Sequence, residues 1–147
     1  MIIVKNTTMT AAFAAGEAYP MTYRYQLYRC PICGTVTEIV HDGVSAMICC
    51  GKTMEVIDDR EPVGTKESHM PVLEAAAGGC KVSVGSKLHG MEADHLIEWA
   101  EIRTADDTVL RKYFKAGDAP VVEFPVPADK VVFVRAYCNK HGAWRAK

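Results

Sequence analysis

The chain has 147 residues, of which 49% are hydrophobic and 24% charged, and its formal net charge is −1. This balance is typical of a globular protein, either one medium domain or a small domain joined to a larger one. The basic residues are scattered, which argues against nucleic acid as a partner because phosphate binding needs concentrated positive charge. No apolar run approaches the roughly 20 residues that span a bilayer. The sequence therefore predicts no membrane partner.

The first 25 residues are predicted to be an extension that precedes the first domain. Their Ala-rich stretch, Met9 to Ala15, is shorter than the apolar core of a secretory signal. Met21 is an alternative natural start. We expect a cytoplasmic protein, because the cysteine spacing described next indicates a reducing compartment.

A small metal-binding domain is predicted over residues 26–60. So short a segment buries little apolar surface, and a metal is the usual substitute. Four of the six cysteines lie there: Cys30, Cys33, Cys49 and Cys50. Four thiolates can hold one metal ion without other ligands. Spacing alone slightly favours structural zinc over iron, and a disulfide between adjacent cysteines is the weaker alternative because it would be strained.

Residues 61–147 are predicted to form an all-β sandwich. Short apolar or β-rich segments alternate there with turns that contain glycine, aspartate or proline, and none of them predicts a long helix. The predicted strands are Pro71–Ala76, Cys80–Val84, Leu96–Ile102, Val109–Lys115, Val121–Val126 and Val131–Tyr137.

A second metal site is predicted at the rim of this sandwich, where strand ends and loops gather ligands. Its candidates are His69, His89, His95, Cys138 and His141, which all lie at predicted strand boundaries. Four imidazoles and a thiolate exceed the four ligands of ordinary zinc and suit iron with one open position. Blue copper is the strongest rival, but its usual axial methionine does not follow the last histidine.

The motifs of both blocks resemble those of the desulfoferrodoxin family of two-iron superoxide reductases. The first block carries Y-R-C-P-I-C-G at residues 28–34 and C-C-G at 49–51. The second carries E-S-H-M-P-V at 67–72, H-G-M-E at 89–92, H-L-I-E-W at 95–99 and Y-C-N-K-H-G at 137–142. These motifs extend over roughly four-fifths of the chain.

The resemblance implies a desulforedoxin-like domain followed by an immunoglobulin-like sandwich, in a homodimer. It implies one iron in the four-cysteine site and a second, catalytic iron with four histidines in a plane and Cys138 on the axis. The implied reaction reduces superoxide to hydrogen peroxide, and a rubredoxin-like donor re-reduces the iron. Glu67 is expected to take the sixth position on the ferric iron. An anaerobe would use such an enzyme for detoxification.

Two positions depart from the family pattern. Ser68 stands where the family commonly has a lysine that attracts superoxide, and Gly90 stands where it often has proline. Lys66 and Lys87 are candidate substitutes for the missing cation. Two alternatives to a reductase remain: an electron carrier or redox sensor on the same fold, and a zinc-stapled binding module without redox chemistry.

Overall fold

The computed structural model describes residues 21–60 and 64–146, which form two compact units divided after Val56. Most of the predicted N-terminal extension, residues 1–20, lies outside the described residues, as do residues 61–63 and 147. No helix in the described ranges is long and apolar enough to cross a membrane.

The first unit is built from very short strands. These are β1 (Met21–Thr22), β2 (Leu27–Arg29), β3 (Val36–Glu38), β4 (Gly43–Val44), β5 (Ile48–Cys49), β6 (Lys52–Thr53) and β7 (Glu55–Ile57). β2 lies between β3 and β7 in a three-stranded sheet, while β1 pairs with β4 and β5 with β6. The strand β1 precedes residue 26, so the domain start at that residue stays a prediction.

The core of the first unit is small. Tyr28, Cys30, Ile39 and Met54 are its buried members, and Met47 and Cys49 pack against them. So few buried side chains offset little of the conformational entropy lost on folding. One of them is itself a predicted metal ligand, which agrees with a fold that needs a metal.

The second unit is a sandwich of a four-stranded and a three-stranded sheet. A short helix, α1 (Lys66–His69), precedes strands β8 (Pro71–Ala76), β9 (Gly79–Val84), β10 (Ile97–Thr104), β11 (Val109–Tyr113), β12 (Val121–Phe124), β13 (Val131–Cys138) and β14 (Gly142–Ala146). The sheet orders are β11-β10-β13-β14 and β12-β9-β8, and every pair within them is antiparallel. The all-β prediction is confirmed.

Alternation of side chains along the strands places the sandwich core between the sheets. Cys80, Val82 and Val84 of β9 are fully buried there. They pack with Ala100, Ile102, Val134, Ala136 and other members of the opposite sheet. This core is several times larger than that of the first unit, so the second unit gains much more stability from burial of apolar surface.

Strand β14 and helix α1 of the second unit are among the elements that were not predicted from the sequence. The last strand, β14, is short and its burial does not alternate strictly, so it carries a weak period-2 signal. Helix α1 spans four residues, which is too short for a helical periodicity to be visible. Helix α1 ends at the predicted ligand His69, and β14 begins one residue after the predicted ligand His141.

A row of buried charges crosses the outer face of the four-stranded sheet. Glu101, only 2% exposed, accepts hydrogen bonds from Arg135 Nε at 2.8 Å and Arg111 Nε at 2.7 Å. The guanidinium of Arg135 also lies 3.4 Å from Asp59. The Arg111 guanidinium lies over the ring of Trp99, with its central carbon 4.3 Å from the ring centre. Since two guanidinium groups share Glu101, its loss would leave their buried positive charge less compensated.

We predict that Glu101→Ala lowers the free energy of unfolding by about 3–5 kcal/mol, because breaking a buried pair leaves an uncompensated charge. Denaturant unfolding followed by tryptophan fluorescence measures the change. Glu74→Ala is the matched control, since its carboxylate pairs with Lys81 at an exposed position. A loss for Glu101→Ala no larger than that of the control would contradict the prediction.

Candidate metal centres

The antiparallel strand order brings five predicted ligands to one end of the sandwich. His69 ends α1 directly before β8, His89 follows β9, and His95 precedes β10. Cys138 ends β13, and His141 precedes β14. Because neighbouring strands run in opposite directions, the starts of β8, β10 and β14 meet the ends of β9 and β13 at the same edge.

The four imidazoles form a closed ring in which each ring stands nearly perpendicular to its neighbours. The centroids of consecutive rings in the order His69, His89, His95, His141 are 4.6, 4.7 and 4.9 Å apart, and His141 closes the ring to His69 at 4.7 Å. The interplanar angles lie between 71° and 87°. The diagonal from His69 to His95 is longer, at 6.2 Å. This is a roughly square, propeller-like arrangement.

The ligand atoms of the five residues converge on one point. Nε2 of His69 lies 3.2 Å from Nε2 of His89 and 2.9 Å from Nδ1 of His141. The sulfur of Cys138 lies 3.6 Å from His89 Nε2 and 3.5 Å from His141 Nδ1. All five ligand atoms lie within 4.8 Å of one another. Nitrogens about 2.1 Å from one metal, at right angles, would be about 3 Å apart, so the spacing fits a metal ion.

Hydrogen bonds on the far side of two rings orient them for this purpose. Nδ1–H of His69 donates to the carbonyl oxygen of Thr65 at 2.8 Å, and the Ser68 hydroxyl lies 3.2 Å from the same nitrogen. Nδ1–H of His89 donates to the carbonyl oxygen of Gly90. Because a carbonyl can only accept, these bonds place the proton on Nδ1 and leave Nε2 free to bind a metal.

His95 supplies a direct test of whether the site is built for a cation. Its Nε2 is buried and has no hydrogen-bond partner among the described residues. A buried polar atom without a partner costs free energy, and most such atoms in proteins are satisfied. His95 belongs to the convergent ligand set. A metal ion would satisfy it.

Burial also sets the protonation of the second site. Desolvation lowers the pKa of His89 and of His141, so both imidazoles favour the neutral form that binds metals. Burial raises the pKa of the Cys138 thiol. A thiolate at this position therefore requires a compensating positive charge, which a bound metal provides.

Trp144 and Gly64 support the imidazole ring from the protein side. The indole of Trp144 is fully buried and stacks on His69, with centroids 4.8 Å apart. A Cβ atom at Gly64 would lie 3.1 Å from Trp144, 3.4 Å from His141 and 3.5 Å from His69. The φ of Gly64 is +137°, which side chains of L-residues rarely adopt. This glycine therefore permits close packing on two ligands.

A cavity of about 430 Å³ adjoins His69 and His89. It is lined by Thr65, Glu67, Ser68, Lys87, Leu88 and Gly90. The backbone N–H of Lys87 donates to the carbonyl oxygen of Glu67 at 2.9 Å, which fixes these two residues side by side. The predicted carboxylate Glu67 and the candidate cation Lys87 therefore face the same cavity, each on a segment that carries a ligand histidine.

The structure brings Cys30, Cys33, Cys49 and Cys50 together in the first unit. The sulfur of Cys49 lies 3.7 Å from that of Cys33 and 3.9 Å from that of Cys50. The backbone N–H of Cys33 points to the sulfur of Cys30 at 3.5 Å. Each pair is followed by a glycine with positive φ, Gly34 at +75° and Gly51 at +71°.

The second cysteine pair differs from the first in its backbone. Cys50 itself has φ +50°, because adjacent cysteines need a tighter turn to face the same point. The chemistry of the sulfurs also differs. A hydrogen bond to the Thr35 hydroxyl lowers the pKa of Cys33 to about 6. Hydrogen bonds with Cys30 and Cys33 raise the pKa of Cys49 to about 12, so its deprotonation depends on a cation.

Some residues that hold the second site were not found from the sequence. Thr65 accepts the His69 hydrogen bond, Gly64 packs on the rings, and Trp144 stacks on His69. Asn139 lies inside the quoted Cys-x-x-His motif and was given no role. The sequence shows only that these residues lie near a ligand along the chain, and nearness in sequence does not reveal a contact.

Comparisons with known proteins agree with this geometry. The family model "Desulfoferrodoxin" matches residues 61–147, and "Desulfoferrodoxin, N-terminal domain" matches residues 22–57. A desulfoferrodoxin of Nitratidesulfovibrio vulgaris is 46% identical over 127 residues, which is 86% of this chain and 99% of that protein. A desulfoferrodoxin homolog of Archaeoglobus fulgidus is 43% identical over 126 residues, 86% of this chain and 99% of that protein.

A solved structure is also similar. The superoxide reductase from Treponema pallidum superposes with a TM-score of 0.63 at 29% identity, over 82% of this chain and 98% of that one. A β-sandwich with a four-histidine, one-cysteine group, preceded by a four-cysteine unit, defines a small non-haem iron protein. The chain belongs to the desulfoferrodoxin family. Its two ligand groups match the two-iron arrangement of that family, so the prediction of two irons is confirmed.

We predict that Gly64→Ala weakens binding of ferrous iron at the second site about tenfold, the lower end of the effects seen for residues that orient ligands. The added methyl group would press on His69, His141 and Trp144. Titration of the metal-free protein with ferrous iron measures the affinity. Gly78→Ala is the control, because nothing lies within 4 Å of its Cβ position. Equal affinities for the two variants would refute the packing role of Gly64.

Proposed function

We propose that the protein is a superoxide reductase, which converts superoxide, one electron and two protons into hydrogen peroxide. The observation that carries the proposal is the closed ring of four imidazoles with the Cys138 sulfur against it and a cavity beside it. Membership of the desulfoferrodoxin family and similarity to the T. pallidum superoxide reductase support it. Rapid mixing of the reduced protein with superoxide tests it.

Ferrous iron, when bound, supplies the electron and a coordination position for the anion. The protein residues set the conditions. The neutral imidazoles of His89 and His141, favoured by burial, add no charge to the ligand set. The Cys138 thiolate would donate electron density to the bound iron, as thiolate ligands do in haem enzymes. Together these ligands favour release of intact hydrogen peroxide over cleavage of its O–O bond.

Lys87 and Glu67 are proposed to have different roles in the cavity. The Lys87 ammonium, on a long flexible stem, attracts superoxide and raises its local concentration. The Glu67 carboxylate is proposed to take the open ferric position after turnover. Both line the cavity, and the bond between their backbones holds them together.

The wider setting follows from the same proposal. A rubredoxin-like protein would supply electrons, and the four-cysteine site would serve electron transfer or structure. The protein would act as a homodimer in the cytoplasm of an anaerobe, where it would detoxify superoxide. We also propose that the metal-binding domain extends over residues 26–60 and that the sandwich domain begins at residue 61.

A second candidate function is a non-catalytic electron carrier or redox sensor. The observation in its favour is Ser68, which replaces the family lysine with an uncharged hydroxyl. Reduced protein that transfers electrons to an acceptor but reacts with superoxide no faster than its Cys138→Ser variant would favour this candidate over the reductase.

We predict that Cys138→Ser abolishes superoxide reduction, a loss of at least about a hundredfold, because Cys138 is the one thiol that the described residues contribute to the second ligand group. The measurement is the second-order rate after rapid mixing with superoxide. Near wild-type turnover in this variant would show that the second site is assigned wrongly.

Cys30→Ser is the matched change in the first site. It should remove or exchange the first metal while most of the reaction with superoxide is retained, because the two groups bind metal in separate units. Metal analysis and the same rapid-mixing experiment test this. Complete loss of the reaction in a folded Cys30→Ser protein would contradict the independence of the sites.

We predict that Lys87→Ala slows the reaction about three- to tenfold at low ionic strength, and that added salt reduces the difference. Ser68→Lys should be faster than wild type and more sensitive to salt. Lys66→Ala is the control, because Lys66 does not line the cavity. If Lys87→Ala matches wild type at every ionic strength, Lys87 does not replace the family lysine.

A further inference from the structure

Asn139 connects the turn that carries Cys138 and His141 to the segment that carries His95. Its backbone N–H donates to the carbonyl oxygen of Leu96 at 3.2 Å. Its side-chain oxygen accepts a hydrogen bond from the N–H of Leu96 at 3.0 Å. Its side-chain nitrogen donates to the carbonyl oxygen of Asp94 at 3.1 Å. Three hydrogen bonds from one residue therefore hold both sides of His95.

The position of Asn139 explains why a side chain is needed for these bonds. The ladder between β10 and β13 ends with Ile97 opposite Cys138. Immediately beyond, the chain turns back so that Cys138 pairs with Gly142. The backbone therefore leaves the ladder after residue 139, and the Asn139 amide supplies the acceptor and the donor that a continuing strand would have supplied.

The position of His95 is set through its backbone neighbours, including Asn139. The rings of His69 and His89 are oriented by hydrogen bonds from Nδ1 to backbone carbonyls. For His95 the structure shows a backbone that is held on both sides. Its backbone pairs with Glu92 on one side, and Leu96 is bonded to Asn139 on the other.

We propose that Asn139 is a positioning residue that sets the location of His95 relative to Cys138, and so completes the ligand set of the second iron. This inference deepens the proposed function, and it rests on that function because Asn139 matters for catalysis only if the second iron is the catalytic one. The iron affinity that it predicts is independent of any reaction with superoxide.

A nearby ion pair joins the same two segments and serves as the comparison. Lys140 Nζ lies 2.9 Å from the carboxylate of Asp94, but the side chains are 48% and 81% exposed. Exposed pairs of this kind contribute little because water and salt screen them. The amide of Asn139, which is half-buried, is the stronger connection.

The test compares Asn139→Ala with Lys140→Ala as the matched control. Each protein is loaded with iron, and a chelator then removes the metal while absorption and metal analysis follow the two sites separately. We expect Asn139→Ala to bind iron at the second site 10- to 100-fold more weakly, the range typical of residues that orient ligands. The first site is the internal reference and should be unchanged, as should both sites in Lys140→Ala.

The reduction potential and the Tm separate positioning from general stabilisation. Asn139→Ala should shift the potential of the second iron and leave that of the first unchanged. It should also reduce the increase in Tm that loading of the second site produces, because a ligand stabilises the fold in proportion to its affinity. Equal losses of Tm in the iron-free and iron-loaded proteins would overturn the proposal.

Asn139→Asp covers the case in which the alanine variant does not fold. It retains the oxygen that accepts from Leu96 and loses the nitrogen that donates to Asp94, so an intermediate loss of iron affinity is expected. Wild-type affinity and potential in either variant would overturn the role of Asn139. The reductase proposal would be unaffected by that outcome, because it is judged by the reaction of the wild-type protein with superoxide.

Discussion

Four imidazoles and a thiol gathered at the end of a sandwich are unfavourable neighbours unless a cation lies among them. Their ligand atoms lie within 4.8 Å of one another, and Nε2 of His95 is buried without a partner in the described structure. The sandwich core holds these groups in place, because every ligand lies at the edge of a strand or helix anchored in it. The fold therefore supplies the free energy that keeps the ligands converged, and the metal removes the penalty of their burial.

The two units solve the problem of holding a metal in opposite ways. The hydrophobic cluster described in the first unit has four buried members, so its four thiolates must stabilise the fold as well as bind the ion. The second has an extensive core and a buried charge row around Glu101, so its ligands can be arranged for chemistry. Charged residues line a cavity at each ligand group: Glu67 and Lys87 at the second, and Arg29 and Glu55 at the first.

The sequence was sufficient for the features that leave a periodic or motif signal. Six strands of the sandwich and all nine metal-binding side chains could be located, since β-rich segments and Cys-x-x-Cys or Cys-x-x-His spacings are local patterns. Strand β14 and helix α1 are too short for such patterns. Contacts such as Gly64 on His141 and Asn139 on Leu96 join residues distant in sequence. They depend on register and packing, which one sequence does not reveal.

The two departures from the family pattern lie on the cavity side of the metal group. Ser68 Oγ lies 2.7 Å from Thr65 Oγ1 and 3.2 Å from His69 Nδ1, so serine joins the hydrogen bonds that orient this ligand. At Gly90, the carboxylate of Glu92 occupies the space that a Cβ would need, only 2.6 Å away. The ligand rings are held by backbone carbonyls at both places. Relative to the family lysine, Ser68 removes a positive charge from the cavity lining and adds a hydroxyl beside His69, whereas Gly90 leaves room for the Glu92 carboxylate.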